Sequence, residues 1–406
     1  MEKPEAQRHG RVVVLVSAPL QGHMTPVLQL GTILHSRGFS IIVAHTQHNS
    51  PNPSNHPEFI FLPISNNLSD NKTSFKNPLD FLLAINNNCK APLEESLAQM
   101  MKVVEDEFAT NLFDSTAQQL VTGLHPLRFK DLPLSGFGTF EDSVKLIELL
   151  SKLTTSSAVI CNTVDYIEHS AVSKLQQHYQ VPFFLIGPLH KLASASSTSF
   201  VIEDTHCVEW LDKQAPQSVI YVSFGSTITI NKKDLTEMAW GLANSDQPFL
   251  WVIRPGSVHG SEFAELLPES FEEKVGERGC IVKWAPQKEV LAHGAVGGFW
   301  SHCGWNSTLE SISEGVPMVC RPYFFDQKVN TRYLSSEWKV DRELEDVLER
   351  GEIERAIRRL MVDKQGEEMR QKANNMKSKI EACVLKGGSS YGSLIDLEKF
   401  ILSFPT

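Results

Sequence analysis

Within residues 284–327, side chains that can hold a phosphorylated ligand follow one another at close spacing. The run 297–302 is apolar up to His302, so it predicts a buried strand that carries an imidazole at its carboxyl end. Gly304 permits a close turn, and residues 305–307 then begin an amphipathic helix. Because a helix start presents backbone amides and a positive dipole end, the pattern predicts an anion site, with a diphosphate as the first candidate.

The same helix start has a second interpretation that needs no ligand. Ser307 and Glu310 have the spacing of a capping box, in which the Glu310 carboxylate reaches back to the cap amide. Both interpretations require a helix after Gly304, but only one requires its first amides to face a ligand.

Further polar and aromatic residues follow two other predicted strands. Trp284 and Gln287 come after the strand 280–283, whereas Asp326 and Gln327 come after the strand 317–322 and begin a helix. An indole offers a flat face for a nucleobase, and carboxylate or amide groups can bind sugar hydroxyls. A nucleotide sugar would satisfy all of these groups together.

The segment resembles the plant secondary-product glycosyltransferase box of the family 1 UDP-dependent glycosyltransferases. It matches the W-A-P-Q, H-x-G-W-N-S-x-x-E and D-Q elements of that box. The resemblance implies a UDP-sugar donor, and a final Gln327 usually accompanies glucose rather than galactose. Its implied contacts are uracil at Trp284 and Ala285, ribose at Gln287 and Glu310, diphosphate at Ser226, His302, Gly304, Asn306 and Ser307, and sugar at Trp305, Asp326 and Gln327.

A candidate catalytic base lies near the amino terminus. His23 occupies the predicted loop 18–25 between the first strand, 11–17, and a helix expected to have Pro26 in its first turn. An imidazole with a pKa of about 6.5 can take a proton from an acceptor hydroxyl at neutral pH. For one of 14 histidines the alternative is a loop residue with no chemical role, but the loop resembles the family's G-H-x-x-P element, which implies catalysis.

The family also uses an aspartate that orients the base, and here the chain departs from the family pattern. The segment 105–114 aligns best through Asp114, with Asp106 as a second candidate and a solvated acidic turn as the alternative. Residues 115–123 then lead directly to a family element that normally lies well downstream. We therefore expect an internal deletion near 115–123, of about the size of a βαβ unit, roughly 30 residues or more.

Strands and helices alternate along most of the chain, which predicts an α/β fold. The resemblance implies the GT-B architecture of two facing Rossmann-like domains. We expect an acceptor-binding domain over 1–188, a Ser-rich linker over 189–204, a UDP-sugar-binding domain over 205–385, and a C-terminal helix over 386–406 that packs on the first domain.

Composition excludes several classes of function. The 406 residues carry a net charge of −10 without a basic stripe, which argues against a nucleic-acid partner. No run of about 18 apolar residues and no signal core is present, so we expect a cytoplasmic protein without a membrane span. Seven scattered cysteines without a CxxC pair predict reduced thiols and no metal site. A monomer is the default expectation.

The expected function is inverting transfer of glucose from UDP-glucose to a hydroxyl or carboxyl group of a small lipophilic plant metabolite, giving a β-glucoside. UDP-glucose would be a co-substrate, and no cofactor is expected. The alternative is a truncated, UDP-sugar-binding protein with impaired catalysis. A nicotinamide-dependent oxidoreductase is disfavoured, because no G-x-G-x-x-G follows the first strand.

Overall fold

The structure is a computed structural model that describes residues 10–46, 50–64, 89, 125–132, 156–193, 198–258, 267–344 and 348–404. Its internal contacts define two compact units. The described residues of the first unit lie in 10–89, 156–200 and 382–404, and those of the second in 125–132 and 201–381. Within these ranges, none of the helices combines the length and the apolar character that crossing a membrane requires.

The strands of both units are short. They are β1 (Val12–Val16), β2 (Ser40–Thr46), β3 (Ile60–Ile64), β4 (Val159–Cys161), β5 (Phe183–Leu185), β6 (Val219–Ser223), β7 (Phe249–Val252), β8 (Gly279–Val282), β9 (Val296–Ser301), β10 (Met318–Cys320) and β11 (Asp341–Glu343). All pairings between them are parallel. Parallel strands need crossover connections, and helices supply these.

The helices are α1 (Gln21–Ser36), α2 (Asp165–His178), α3 (Leu189–Leu192), α4 (His206–Leu211), α5 (Lys232–Ser245), α6 (Phe271–Val275), α7 (Gln287–Ala292), α8 (Trp305–Glu314), α9 (Asp326–Tyr333), α10 (Arg350–Met361), α11 (Lys364–Val384) and α12 (Ser389–Ser403). Short 3₁₀ turns lie at Pro53–Asn55, Phe129–Asp131 and Gly276–Arg278, and a π-helical turn lies at Leu334–Trp338.

The second unit is built on one sheet with the strand order β11-β10-β9-β6-β7-β8. Its central strands β6 and β9 are buried along their whole length, which is typical of a parallel sheet covered on both faces. Ser301 of β9 is paired in register with Ser223 of β6 and with Cys320 of β10. The carboxyl ends of these three strands therefore meet at one edge, where open α/β sheets bind ligands.

The first unit contains the sheet β1-β2-β3 and the two-stranded sheet β4-β5. Helix α12 packs on this unit, because Leu394 and Leu397 are buried in one cluster with Ile33, Phe184 and Ile186. A salt bridge of 2.7 Å between Arg37 and Glu398 also joins α12 to the end of α1.

Helix α1 begins earlier than the sequence predicts. It starts at Gln21, so Pro26 lies inside the helix and not in its first turn. The Gln21 side chain explains the earlier start, because its Nε2 donates to the Thr198 carbonyl (2.7 Å) and its Oε1 accepts from the Phe200 amide (2.7 Å). These long-range bonds are not visible in the local sequence.

Two segments differ from the expected domain organisation. Leu189 is buried and begins the short helix α3, which packs against α1, so the linker expected over 189–204 starts within a folded element. Residues 125–132 group with the second unit although they fall inside the expected first domain, 1–188. The reason is a set of contacts with α9, described below. The other expected domain boundaries stay predictions.

Candidate functional site

His302 lies directly after β9, at the edge where the central strands end, and it is almost completely buried. Two glycines surround its ring: a Cβ on Gly225 would come within 2.8 Å of Cε1, and one on Gly304 within 2.6 Å of Nε2. Burial lowers the pKa of His302 to about 4, although the Ser223 backbone acts in the opposite direction. The imidazole is therefore neutral at neutral pH in the unliganded protein.

The turn between His302 and α8 is tightly specified. Cys303 has a φ of 63°, its amide donates to the Ser301 hydroxyl (3.1 Å), and its carbonyl accepts from the Asn330 side chain (2.9 Å). A residue other than glycine in this left-handed region is strained, and strain of this kind is common at ligand sites.

Helix α8 begins at Trp305, with Gly304 as its N-cap. The amide of Thr308 donates to the Gly304 carbonyl (2.9 Å), so the amides before it face out of the helix start. The first turn contains no acidic residue. The capping-box interpretation is therefore wrong, because Ser307 is inside the helix and the cap has no side-chain hydrogen bond. The start of α8 can accept an anion.

Gln287 and Glu310 are brought together although 23 residues separate them. The Gln287 Nε2 donates to a Glu310 carboxylate oxygen (2.7 Å) and to the Ser307 hydroxyl (3.0 Å). The Tyr221 hydroxyl donates to the Gln287 Oε1 (3.3 Å). Burial raises the pKa of Glu310, whereas the bond from Gln287 and the nearby Lys288 lower it. An acceptor group held at this position can bind the hydroxyls of a ribose.

Trp284 and Ala285 lie between the end of β8 and the start of α7. Ala285 is buried, Trp284 is half-buried, and the Trp284 carbonyl accepts a 2.9 Å bond from the Asp204 amide. Part of the indole surface is therefore accessible to a ligand, and a hydrogen bond holds the backbone that carries it.

Asp326 and Gln327 begin helix α9. Gln327 is buried, and its Oε1 accepts from the amides of Tyr323 (2.9 Å) and Phe324 (3.2 Å), which leaves its amide nitrogen to donate. Asp326 is exposed and accepts from the Asn330 Nδ2 (2.9 Å). Since Asn330 also bonds to the Cys303 carbonyl, it connects the start of α9 with the turn before α8.

The remaining predicted site residues are Ser226, His23 and Asp114, and they fall in different parts of the chain. Ser226 is half-buried and follows Gly225 at the end of β6, on the same strand-end edge as His302. His23 is exposed on the first turn of α1, in the first unit, and its amide donates to the Leu20 carbonyl (2.9 Å). Asp114 lies outside the described residues, so its role stays a prediction.

Sequence reasoning missed two residues that support this site. Asn330 stands four residues after Asp326, a spacing that places both on one face of a helix and could have indicated their bond. Tyr221 lies in the middle of a predicted buried strand, where nothing in the local sequence distinguishes a hydroxyl that bonds to Gln287 from an ordinary core aromatic.

Comparisons with known proteins identify the family of this chain. Residues 202–378 match the family described as UDP-glucoronosyl and UDP-glucosyl transferase. UDP-glycosyltransferase 76E1 of Solanum lycopersicum is 49% identical over 443 aligned residues, which cover 97% of this chain and 93% of that protein. Flavonol 3-O-glucosyltransferase UGT76E12 of Arabidopsis thaliana is 44% identical, with 99% of this chain and 98% of that protein covered.

A solved structure extends the likeness to three dimensions. It is a complex of 3,4-dichloroaniline with a UDP-glucosyltransferase from Polygonum tinctorium capable of glucosylating indoxyl. The match has a TM-score of 0.79 at 26% identity and covers 97% of this chain and 99% of the other. The architecture is accordingly the GT-B form of the α/β class. Near-complete coverage at 49% identity shows that the chain is a glycosyltransferase and belongs to the plant family 1 UDP-glycosyltransferases.

Proposed function

We propose that the protein transfers glucose from UDP-glucose to a hydroxyl or carboxyl group of a small lipophilic plant metabolite, with inversion to a β-glucoside. The observation that carries the proposal is the junction of β9 and α8. There a buried, neutral His302 and the first amides of α8 adjoin the Gln287–Glu310 pair. A diphosphate and a ribose fit these two neighbouring groups.

Glucose is the proposed sugar because of Gln327 at the start of α9. Its side-chain oxygen is already used by two backbone amides, so its amide nitrogen is presented in one orientation. Asp326 beside it supplies acceptor oxygens. The names of two similar proteins, a flavonol 3-O-glucosyltransferase and a UDP-glucosyltransferase, support a glucose donor and a small aromatic acceptor.

In the proposed reaction His23 removes the proton from the acceptor. The acceptor oxygen then attacks the anomeric carbon of UDP-α-glucose from the face opposite the leaving group, and the bond to the diphosphate breaks. UDP departs with negative charge that the start of α8 and His302 stabilise. The proposal uses no metal ion and no cofactor. Asp114 is the proposed partner of the His23 imidazole.

The experiment is an assay of UDP release and of glucoside mass with UDP-glucose and a panel of phenolic, flavonoid and terpenoid acceptors. We expect release that depends on an acceptor, and His23→Ala should lower kcat by about 10²- to 10⁴-fold, as loss of a general base does. UDP binding by this variant should be unchanged, because every proposed donor contact lies in the other unit.

A matched control is His169→Ala. His169 is also an exposed helical histidine of the first unit, and its contacts with Asp165 (2.8 Å) and Ser173 (3.4 Å) are both local and exposed, so its removal should leave turnover intact. Equal turnover by the wild-type protein and His23→Ala would overturn the assignment of the base.

A second candidate function is UDP-sugar binding with impaired transfer, and one observation favours it. The alignment with the tomato relative spans 443 positions, whereas 97% of this 406-residue chain is about 394 residues. About 50 positions of that alignment therefore have no residue of this chain opposite them. Saturable UDP-glucose binding without acceptor-dependent UDP release would establish this second function.

A further inference from the structure

Residues 125–132, which we call the strap, lie far from the rest of the second unit in sequence but pack against it. Pro126 and Leu127 are buried in the strap, and Phe129–Asp131 forms a single 3₁₀ turn that contacts α9. Asp131 is only 4% exposed, so its carboxylate must be satisfied by protein groups.

Two arginines lie next to the Asp131 carboxylate. Arg128 binds Asp131 through both its Nε (2.7 Å) and its Nη2 (2.7 Å), the paired geometry in which guanidinium–carboxylate bonds are strongest. Arg332 of α9 places its Nε 3.7 Å from the same carboxylate and donates to the Pro126 carbonyl (2.8 Å). Glu343 of β11 lies 3.8 Å from Arg128, so the cluster contains two cations and two anions.

Helix α9 connects this cluster with the proposed sugar contacts. Arg332 is in the last turn of the helix, whereas Asp326 and Gln327 begin it, about 9 Å away at 1.5 Å per residue. Asn330 lies between them and joins Asp326 to the turn at Cys303. A shift of the carboxyl end of this rigid element would move the side chains at its start.

We propose that Asp131 is a positioning residue: by holding Arg332 it sets α9 so that Asp326 and Gln327 meet the hexose of the donor. This inference rests on the proposed function. The strap thereby adjusts recognition of the sugar without touching it, and it should affect recognition of the UDP moiety less, because the proposed UDP contacts lie at β9 and α8 and not on α9.

The test compares the binding of UDP-glucose and of UDP by titration calorimetry, without an acceptor. Asp131→Asn should weaken UDP-glucose binding by about tenfold, the effect expected when a side-chain hydrogen bond to the sugar is lost. UDP should bind within about twofold of the wild-type affinity. Arg332→Gln should give the same selective loss and at least as large a one, because it also removes the bond to the Pro126 carbonyl. Adding Asp131→Asn to Arg332→Gln should cost little more, because the contact between the two residues is already lost.

Several controls separate positioning from general damage. Asp131→Glu keeps the charge and should restore part of the UDP-glucose affinity. His125→Ala changes an exposed strap residue and should leave both affinities unchanged. Where Asp131→Asn does not fold, Arg332→Lys keeps a cation but loses the planar fork, and the same selective loss is expected.

Equal weakening of UDP and UDP-glucose, or no weakening of either, would overturn the positioning role. Different results would refute the two proposals. A wild-type protein that binds UDP-glucose but forms no glucoside overturns the proposed transfer, while the strap comparison, which measures binding alone, still supports or overturns the inference.

Discussion

Asp341 is an acidic side chain in an apolar setting. It begins β11 beside β10, it is 7% exposed, and the buried thiol of Cys320 lies close enough to affect its pKa. Burial raises the pKa of Asp341 to about 8; the Cys320 thiol lowers it, Glu343 raises it and Arg342 lowers it. The carboxyl group is therefore mostly protonated at neutral pH, where an exposed aspartate is ionised.

This raised pKa predicts a dependence of stability on pH. In the unfolded chain the group ionises near its ordinary pKa of about 3.9. Between that value and about 8 the folded state holds the proton more tightly, so the free energy of unfolding should fall as pH rises and level off above the folded pKa. Asp341→Asn keeps the size and removes the titration, and its melting temperature should fall less between pH 5 and pH 8.

The control is Asp396→Asn, which changes an exposed aspartate on α12 and should leave the pH profile of the wild-type protein in place. Melting curves at four or five pH values suffice. Parallel profiles for wild type and Asp341→Asn would show that Asp341 does not hold this proton.

At the residue scale, the positions of the proposed donor residues were easier to predict than their hydrogen-bond partners. Trp284, His302 and Glu310 each stand at a fixed place in a local pattern, and their contact with a UDP-sugar stays a prediction. That Gln287 holds Glu310 depends on the packing of α7 against α8, which local periodicity does not encode. Asp341 was not predicted at all, because a single acidic residue in a polar-looking segment gives no sign of burial.

At the scale of an element, a prediction concerns the start of helix α8, where Gly304 lies against the His302 ring. Gly304 has a φ of −59°, which alanine can adopt, so Gly304→Ala tests only the space beside His302. The new Cβ would lie 2.6 Å from the His302 Nε2 and 3.3 Å from its Cε1, and the ring would have to move. We expect UDP affinity to fall by at least about tenfold, since a displaced ring and a displaced helix start would both lose the hydrogen bonds to the diphosphate that the proposed function assigns to them.

Gly294→Ala is a matched control, because a Cβ at Gly294 would have nothing within 4 Å. This variant should bind UDP as the wild type does, measured by the same calorimetry. An unaltered affinity in Gly304→Ala would show that the position of the His302 ring is unimportant for the diphosphate.

Element boundaries were predictable where they depend on neighbours in sequence. The strand predicted at 297–302 and the helix after Gly304 follow from apolar periodicity and from glycine, and the structure has a strand at Val296–Ser301 and a helix from Trp305. The predicted start of α1 was more than one turn too late, because the bonds of Gln21 to residues 198 and 200 lie far along the chain. The helix at Leu189–Leu192 was also missed, since its burial against α1 outweighs its polar surroundings.

At the scale of the molecule, the proposed donor contacts all fall in the second unit, whereas His23 falls in the first. Ligand at 100 times its Kd stabilises the state that binds it by about 2.7 kcal/mol. UDP should therefore slow amide hydrogen exchange by up to about 100-fold in peptides from β9, α8 and α9, and much less in β1–β3. Equal protection of β1–β3 and of α8 would contradict this division.

The division into an α/β pair of units was predictable from the alternation of strands and helices, but the assignment of the strap was not. The sequence near 125–132 can indicate the local Arg128–Asp131 pair, but nothing in it indicates the contact of Asp131 with Arg332, which is 201 positions later. Such contacts decide which unit a segment belongs to, and a single sequence predicts them only when the two partners are close together along the chain.

The packing of α12 on the first unit has a consequence for how the protein is made. Residues 201–381 of the second unit are all synthesised before Leu394 and Leu397. At about 5–20 residues per second, these residues take on the order of ten seconds or more. During that interval Phe184 and Ile186 lack the α12 side chains that bury them in the folded protein. The core of the first unit is therefore completed last, although most of that unit is translated first.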